Sequence, residues 1–418
     1  MNRNIILSID WITVLLYFSL ISFGTLNLYS ATYDESFQNI SFFLSPIGKQ
    51  SIFLFLSLVS GILLLAIDPK ILEPFSNIAY AISLILLLGL FLFGKTVNYS
   101  TSWYSFGPIS LQPSEFAKIG TILVLGNYLS KIQTDIKKIS SQFKIILLIA
   151  IPVSFISFQP DLGSALIFIA FFFPLFREGL SQIYLIIFIS ATMLFLISIS
   201  YETITTIVII LFLFTIIFLC LRYLNPKIKL WPIIFFMMIS IGFSFIVDYG
   251  YNELFEQRHR DRIEIFLGKK IDYKGAGYNI NQSKIAIGSG GLTGKGFLQG
   301  SQTKGNFVPQ QHTDYIFSTV GEEWGFIGSS IIIIIYLTLI IKIIISAEKQ
   351  TRKFRRFFSY SLASLLFIHF LVNIGMSLGI SPTIGIPLPF ISYGGSCLLA
   401  FSMLIFIHLN FDANRLNE

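Results

Sequence analysis

The sequence predicts an all-α polytopic integral membrane protein, and three observations carry that prediction. Only 12% of the 418 residues are charged while 54% are hydrophobic, against roughly 25% charged in soluble domains. Mean hydropathy is +0.76. Apolar runs recur along the chain near 11–30, 51–67, 76–94, 114–130, 143–158, 162–176, 183–200, 204–222, 231–248, 315–345, 357–380 and 391–409. A straight span needs about 20 apolar residues, so the runs predict a single bundle of about 10–12 transmembrane helices over residues 1–418. A large extracytoplasmic loop, residues 249–314, precedes the third-last helix.

The first run follows MNRNIILSID with no evident cleavable signal and is read as a span that stays. Only Gln159-Pro160-Asp161 separates the runs at 143–158 and 162–176. Pro lacks an amide proton and disfavours helix in the residue before it, so a tight helical hairpin is expected there.

Charge gives the orientation. With the N-terminus in the cytoplasm, the inner loops hold Lys70, Lys131, Lys137, Lys138, Arg177, Arg222, Lys227, Lys229, Lys349, Arg352, Lys353, Arg355, Arg356 and Arg415. The short outer loops hold Lys49 and Lys95. That asymmetry is the positive-inside pattern, and it puts both termini in the cytoplasm. The net charge of +7 comes from these short clusters and is no signal for nucleic acid. Cys220 and Cys397 both sit in apolar runs, and His259, His312, His369 and His408 are scattered. No disulfide framework or zinc spacing follows from them.

One stretch departs from the apolar pattern. Residues Asn279 to Gly328 are polar and rich in Gly, Ser, Gln and Lys, and their approach from Tyr249 carries further bases. Arg258, Arg260, Arg262, Lys269, Lys270, Lys274, Lys284, Lys295 and Lys304 all fall on the outer side. Either this is a solvated loop face, or it meets an anionic partner at the outer leaflet. Three other polar, Pro- or Gly-marked elements share that side: Gln112-Pro113-Ser114-Glu115, Gln159–Gly163 and Ser381–Ser396. Together the four could enclose one cavity.

Several residues could carry chemistry. Glu115 and Lys118 stand three apart on an apolar helix and share a face. They form a structural ion pair or a charged pair lining a site. Asp314 opens the run that follows it, as a helix N-cap or as a carboxylate placed at the membrane lip for proton transfer. Glu322 and Glu323 lie ~12–14 Å further along that helix, too far to pair with Asp314 unless the helix breaks. Gly288–Gly296 lacks phosphate-loop spacing; it is a flexible turn or a set of amides that, with Lys295, approaches a phosphate. Ser392-Tyr393-Gly394-Gly395-Ser396 suits close helix packing as well as a site.

The motifs QPSE (112–115), QPDLG (159–163), GSGGLTGKGFLQGSQTK (288–304), FVPQQHTDYIF (307–317), GEEWGFIG (321–328) and NIGMSLGISPTIGIPLPFISYGGS (373–396) resemble the SEDS family (shape, elongation, division and sporulation). They cover almost the whole chain in the family's order, closest to its rod-shape branch. The resemblance implies a SEDS-type bundle in the bacterial cytoplasmic (inner) membrane. It implies a glycosyltransferase that polymerises lipid II outside that membrane, with a class B penicillin-binding protein (a transpeptidase) and other elongation-complex membrane proteins as partners. The substrates would be undecaprenyl-pyrophosphate-linked. Mapped onto this chain, the resemblance makes Asp314 the catalytic residue and Glu115, Lys118 and Arg262 substrate-binding residues. Lys295, Gln112, His312, Ser392 and Tyr393 join the substrate-binding set from the same motifs. A divalent cation (Mg or Mn) would suit the leaving group, although the residues form no ligand cluster for one. A lipid II flippase and a non-catalytic scaffold are the competing classes.

The chain departs from the family pattern in three places. Ser102 precedes Trp103 where an Arg is usual, 267–273 lacks an expected Pro, and 183–248 holds three apolar runs instead of one. The last departure reads as an insertion of two spans, which preserves the orientation of all that follows.

Overall fold

A computed structural model describes residues 8–33, 45–97, 100–107, 109–227, 229–255, 257–269 and 275–415. Lys270, Lys274 and the side chain of Arg258 lie outside the described residues. Every apolar run is helical, and among the described residues ten helices are long and apolar enough to cross a membrane. The protein is thus an all-α, multi-pass membrane protein.

The chain divides into two compact units, residues 1–180 with 278–418 and residues 181–277. The first unit begins with α1 (Trp11–Thr32), α2 (Pro46–Ala66) and α3 (Pro69–Phe93). Asp10, Ser45 and Asp68 cap them, each side chain accepting an amide of the first turn. These caps satisfy amides a helix start leaves orphaned.

After α3 the structure departs from the all-helical expectation. Residues 95–111 form a small antiparallel sheet of β1 (Lys95–Val97), β2 (Ser100–Phe106) and β3 (Ile109–Leu111), with Lys95 opposite Trp103 and Tyr104 opposite Leu111. β1 and β3 have three residues each, and the seven of β2, STSWYSF, do not alternate strictly between polar and apolar. The sheet is fastened to the bundle by Tyr104 Oη, which donates to Leu86 O (2.8 Å). It also delivers the chain into α4 (Pro113–Ser130), which starts with Pro at a position that needs no amide proton.

Next come α5 (Ile139–Phe158) and α6 (Leu162–Arg177). They are joined by the expected three-residue turn, where Asp161 Oδ1 accepts from Ser164 N (3.1 Å). α6 tightens into a 3₁₀ segment at Ile167–Phe171. Neither α4 nor α6 is among the ten candidate spans. α4 is enclosed by protein and carries polar groups, and α6 is short.

The second unit holds α7 (Ile183–Ser200), α8 (Thr203–Leu224), α9 (Trp231–Tyr249) and α10 (Gln257–Phe266). Its inner contacts include Ser198 with Ser244 (3.1 Å), and Lys269 Nζ donating to Ile199 O (2.7 Å).

The chain returns to the first unit in α11 (Ala276–Ser289), then α12 (Ser301–Lys304), α13 (Ile316–Glu348), α14 (Lys353–Leu378) and α15 (Gly395–Ala413). α15 is the axis of this unit: 83% of its spanning window is buried, against 11% for each span of the second unit. Its polar residues are accordingly satisfied inside the protein. Tyr17 Oη donates to Ser402 Oγ (2.8 Å), and Asn410 Nδ2 to Leu64 O (2.7 Å) and Ile67 O (2.8 Å).

Candidate active site

The polar segment 290–305 packs into a break in α13. At Gly325 the backbone has φ 64° and ψ −163°, a region open essentially to Gly alone. The break frees buried backbone groups of α13, each of which must find a partner outside the helix. The glycine-rich turn supplies them. Lys295 N donates to Glu322 O (3.0 Å) and Gly296 N to Glu323 O (3.0 Å), while Phe326 N donates to Gly291 O (2.9 Å) and Ile327 N to Leu292 O (3.0 Å). Backbones approach so closely that a Cβ on Gly294 would lie 2.1 Å from Glu323 O.

Lys295 is drawn into the same clasp. Its Nζ lies 2.7 Å from Glu322 Oε1 and 2.8 Å from Ser301 Oγ. The fully buried Glu322 also accepts from Gln302 N, Thr303 N and Thr303 Oγ1. The amides of Lys295 and Gly296 are thus bonded to α13, and the lysine charge is met by Glu322. The sequence marked Glu322 but not its partners, which lie some twenty residues upstream.

Asp314 lies at the end of that segment. α13 begins at Ile316 with Tyr315 as its N-cap residue and no side-chain cap, so Asp314 precedes the cap position. Its carbonyl accepts from Asn373 Nδ2 (2.9 Å), whose amide also donates to Ile386 O (2.8 Å). Its carboxylate lies beside Gly385 (φ 80°), where a Cβ would come 3.3 Å from Oδ2. Asp314 is half-buried.

The neighbouring residues lock two loops together. Tyr393 N donates to His312 O (2.9 Å), and their rings lie 5.9 Å apart. Ser392 Oγ accepts from Leu388 N (2.9 Å), which holds the loop's own turn. Burial keeps the His312 imidazole below the usual histidine range and pushes the Tyr393 phenol up. His312 is therefore neutral at neutral pH.

Gln112, Glu115 and Lys118 join this corner less directly. Gln112 N donates to Ser396 Oγ (2.9 Å), while the Gln112 side chain donates to Asp161 Oδ2 (3.1 Å) and Ser164 Oγ (3.3 Å). Those bonds bring the QPSE, QPDLG and SYGGS motifs to one place, as expected, but turn the side chain toward protein. Glu115 and Lys118 are buried at 3% and 1% exposure, so they do not line an open surface. Lys118 Nζ lies 2.9 Å from each Glu115 oxygen and 3.1 Å from His369 Nε2, and stands over the Phe401 ring. Arg262 lies on α10 in the second unit, where Arg260 Nη1 donates to Asn252 O (2.9 Å) and Tyr251 Oη to Glu264 Oε1 (3.1 Å). Sequence reading also missed His369 and Asn373. Their signal was two polar side chains one turn apart in an apolar helix.

A multi-pass bundle whose polar corner holds a half-buried carboxylate against Gly385, on two loops that His312 and Tyr393 tie together, defines a membrane protein built for chemistry or binding at that corner. A family model described as "Cell cycle protein", and named for FtsW, RodA and SpoVE, matches residues 10–417. The chain belongs to that family, the SEDS family its motifs resemble. Peptidoglycan glycosyltransferase MrdB of Escherichia coli K12 is 31% identical over 407 residues, covering 96% of this chain and 93% of that protein. Peptidoglycan glycosyltransferase RodA of Treponema pallidum is 30% identical, covering 97% and 98%. A chain solved under the description "Structural coordination of polymerization and crosslinking by a peptidoglycan synthase complex" is 25% identical, covers 98% and 99%, and superimposes with a TM-score of 0.71. Thermus thermophilus rod shape determining protein RodA, 24% identical with a TM-score of 0.63 and 98% coverage of each chain, shares the fold.

Proposed function

We propose that this chain is a peptidoglycan glycosyltransferase of cell-wall elongation, polymerising lipid II into β-1,4-linked glycan strands. Family membership and full-length relatives named for that activity support the class. The observation that carries the mechanism is the half-buried Asp314 carboxylate, with its backbone tied by Asn373 to the 381–394 loop.

In this reading the C1–O bond to the growing strand's lipid pyrophosphate breaks as C1 bonds to the 4-oxygen of the incoming sugar, with inversion. Asp314 takes the hydroxyl proton. A carboxylate within reach of the attacking hydroxyl supplies general-base catalysis. His312 and Tyr393, paired across the same two loops, would offer ring faces to a sugar. Arg262 enters on the family resemblance, as a cation for the departing pyrophosphate. Lys295, paired with Glu322, serves mainly by fixing the segment that leads to Asp314.

A divalent cation fits only in part. Among the described residues no three His, Cys, Asp or Glu side chains gather to hold one. An ion would take most of its oxygens from the substrate's phosphates and water, as Mg commonly does. The proposal also places the chain in the inner membrane with both termini cytoplasmic, next to a class B penicillin-binding protein, and treats two spans within 183–248 as an insertion.

The test is lipid II polymerisation by the purified chain, with and without such a partner. Asp314→Ala should reduce polymer by ~10²–10⁴-fold with an unchanged thermal midpoint. Normal polymer from that variant would remove Asp314 as the base. Lipid translocation without any polymer from the unaltered chain would favour the flippase class.

A further inference from the structure

Two side chains on α14 connect the buried ion pair, the 381–394 loop and Asp314. His369 and Asn373 stand one turn apart, so they share a face. His369 is 1% exposed and Asn373 fully buried, so every polar atom they present counts.

The partners of His369 determine its protonation. Nδ1 lies 2.9 Å from Pro387 O, and a carbonyl only accepts, so Nδ1 carries the proton. Nε2 lies 3.1 Å from Lys118 Nζ, and an ammonium only donates, so Nε2 offers its lone pair. The ring is a neutral Nδ1–H tautomer, held edge-on to Phe401 at 5.0 Å. Lys118 in turn is balanced by Glu115 (2.9 Å). The charge pair thus orients a neutral ring, and the ring holds a loop carbonyl.

Asn373 completes the arrangement. Its Nδ2 donates to Ile386 O (2.8 Å) and to Asp314 O (2.9 Å), which uses both amide protons. Consecutive carbonyls at Ile386 and Pro387 are therefore both fastened to α14. The residue just before them, Gly385, lies against the Asp314 carboxylate.

We propose that His369 and Asn373 are positioning residues that set the Asp314 carboxylate against the 385–393 loop. The Glu115–Lys118 pair acts through His369 by fixing its tautomer rather than by touching substrate. This inference rests on the glycosyltransferase reading, because it assigns the two residues to the placement of that reaction's base. A purely architectural role would lower stability and leave turnover per folded molecule unchanged.

The experiment compares two replacements of His369 in the full-length chain. His369→Gln again offers one donor and one acceptor back to back, and should hold kcat within about threefold. His369→Phe keeps the ring volume but loses both polar atoms. It should lower kcat by about 10–100-fold, the scale of a small misplacement of a reacting group, with KM for lipid II unchanged. Equal loss in both variants, or full turnover in His369→Phe, would overturn the proposal.

Two further measurements do not depend on activity. Nitrogen-15 NMR of labelled histidine in the unaltered chain should show a neutral Nδ1–H ring for His369. A protonated or Nε2–H ring overturns the proposal even if His369→Phe fails to fold. If the unaltered chain makes no polymer, the glycosyltransferase reading fails, and amide exchange across 386–393 then decides the positioning claim alone. Faster exchange in His369→Phe than in His369→Gln supports it, and equal exchange ends it.

Discussion

Segments 288–305 and 381–396 look alike in the sequence. Both are rich in glycine and small polar residues, both interrupt apolar runs, and each offered a plausible home for a substrate. The structure gives them different work. In the first, the amides of Lys295 and Gly296 and the ammonium of Lys295 are directed at the broken turn of α13. In the second, α14 grips two carbonyls from behind, and the loop presents Gly385 and Tyr393 toward Asp314 and His312. Glycine serves close backbone packing in one case and leaves room for a carboxylate in the other. Composition reports that a chain can bend or approach closely; it does not report what it approaches.

The sharpest way to break this comparison is to add a methyl group to each segment. Gly294→Ala puts a Cβ 2.1 Å from Glu323 O at a φ of 81°. Clash and left-handed strain together should destabilise by about 2–4 kcal/mol, read as a lower thermal midpoint. Gly385→Ala carries similar strain at φ 80°, but its new Cβ meets Asp314 Oδ2 at 3.3 Å. It should cost about 1–2 kcal/mol and lower polymerisation by up to ~10²-fold through the displaced carboxylate. Matching losses of activity per folded molecule in the two variants would erase the distinction.

A smaller effect separates anchoring from substrate contact at Lys295. Lys295→Met leaves Glu322 its amide and hydroxyl donors from Gln302 and Thr303 and removes the ammonium's bonds to Glu322 and Ser301, a loss of about 1–3 kcal/mol. The thermal midpoint should fall while KM for lipid II stays put. A raised KM at unchanged stability would return Lys295 to the substrate.

The smallest effect is a pH dependence at His312. Burial lowers its folded pKa, whereas an unfolded histidine titrates at about 6.5. The unfolded state therefore binds the proton first as pH falls. The contribution is fully present above that value and is lost as pH drops toward the depressed folded value. Thermal midpoints between about pH 7.5 and 5.5 should fall less steeply in His312→Gln than in the unaltered chain. Identical slopes would show that His312 is not shielded from solvent.

The apolar helices were legible in the sequence, because hydropathy acts locally and a helix satisfies its own backbone wherever it runs. The apolar runs became helices, the Gln159–Asp161 turn stayed tight, and the motifs pointed to the family that the full-length match shows. Asp314 stood out because a carboxylate at the edge of an apolar run is conspicuous. The small sheet at 95–111 did not, since β1 and β3 are three residues each and β2 does not alternate strictly between polar and apolar side chains.

Only the tertiary structure decided which polar groups meet. Lys118 and His369 are 251 residues apart in the chain, and Asn373 and Asp314 are 59 apart. No local pattern encodes such pairings; they follow from which helices become neighbours and which faces turn inward. By itself the sequence established the kind of protein and its apolar helices, and it named candidate residues for chemistry. Packing determined that Glu115 and Lys118 lie buried behind His369, that Lys295 answers to Glu322, and that Asp314 stands beside Gly385. A buried polar atom must find its partner among whatever the fold brings within about 3 Å.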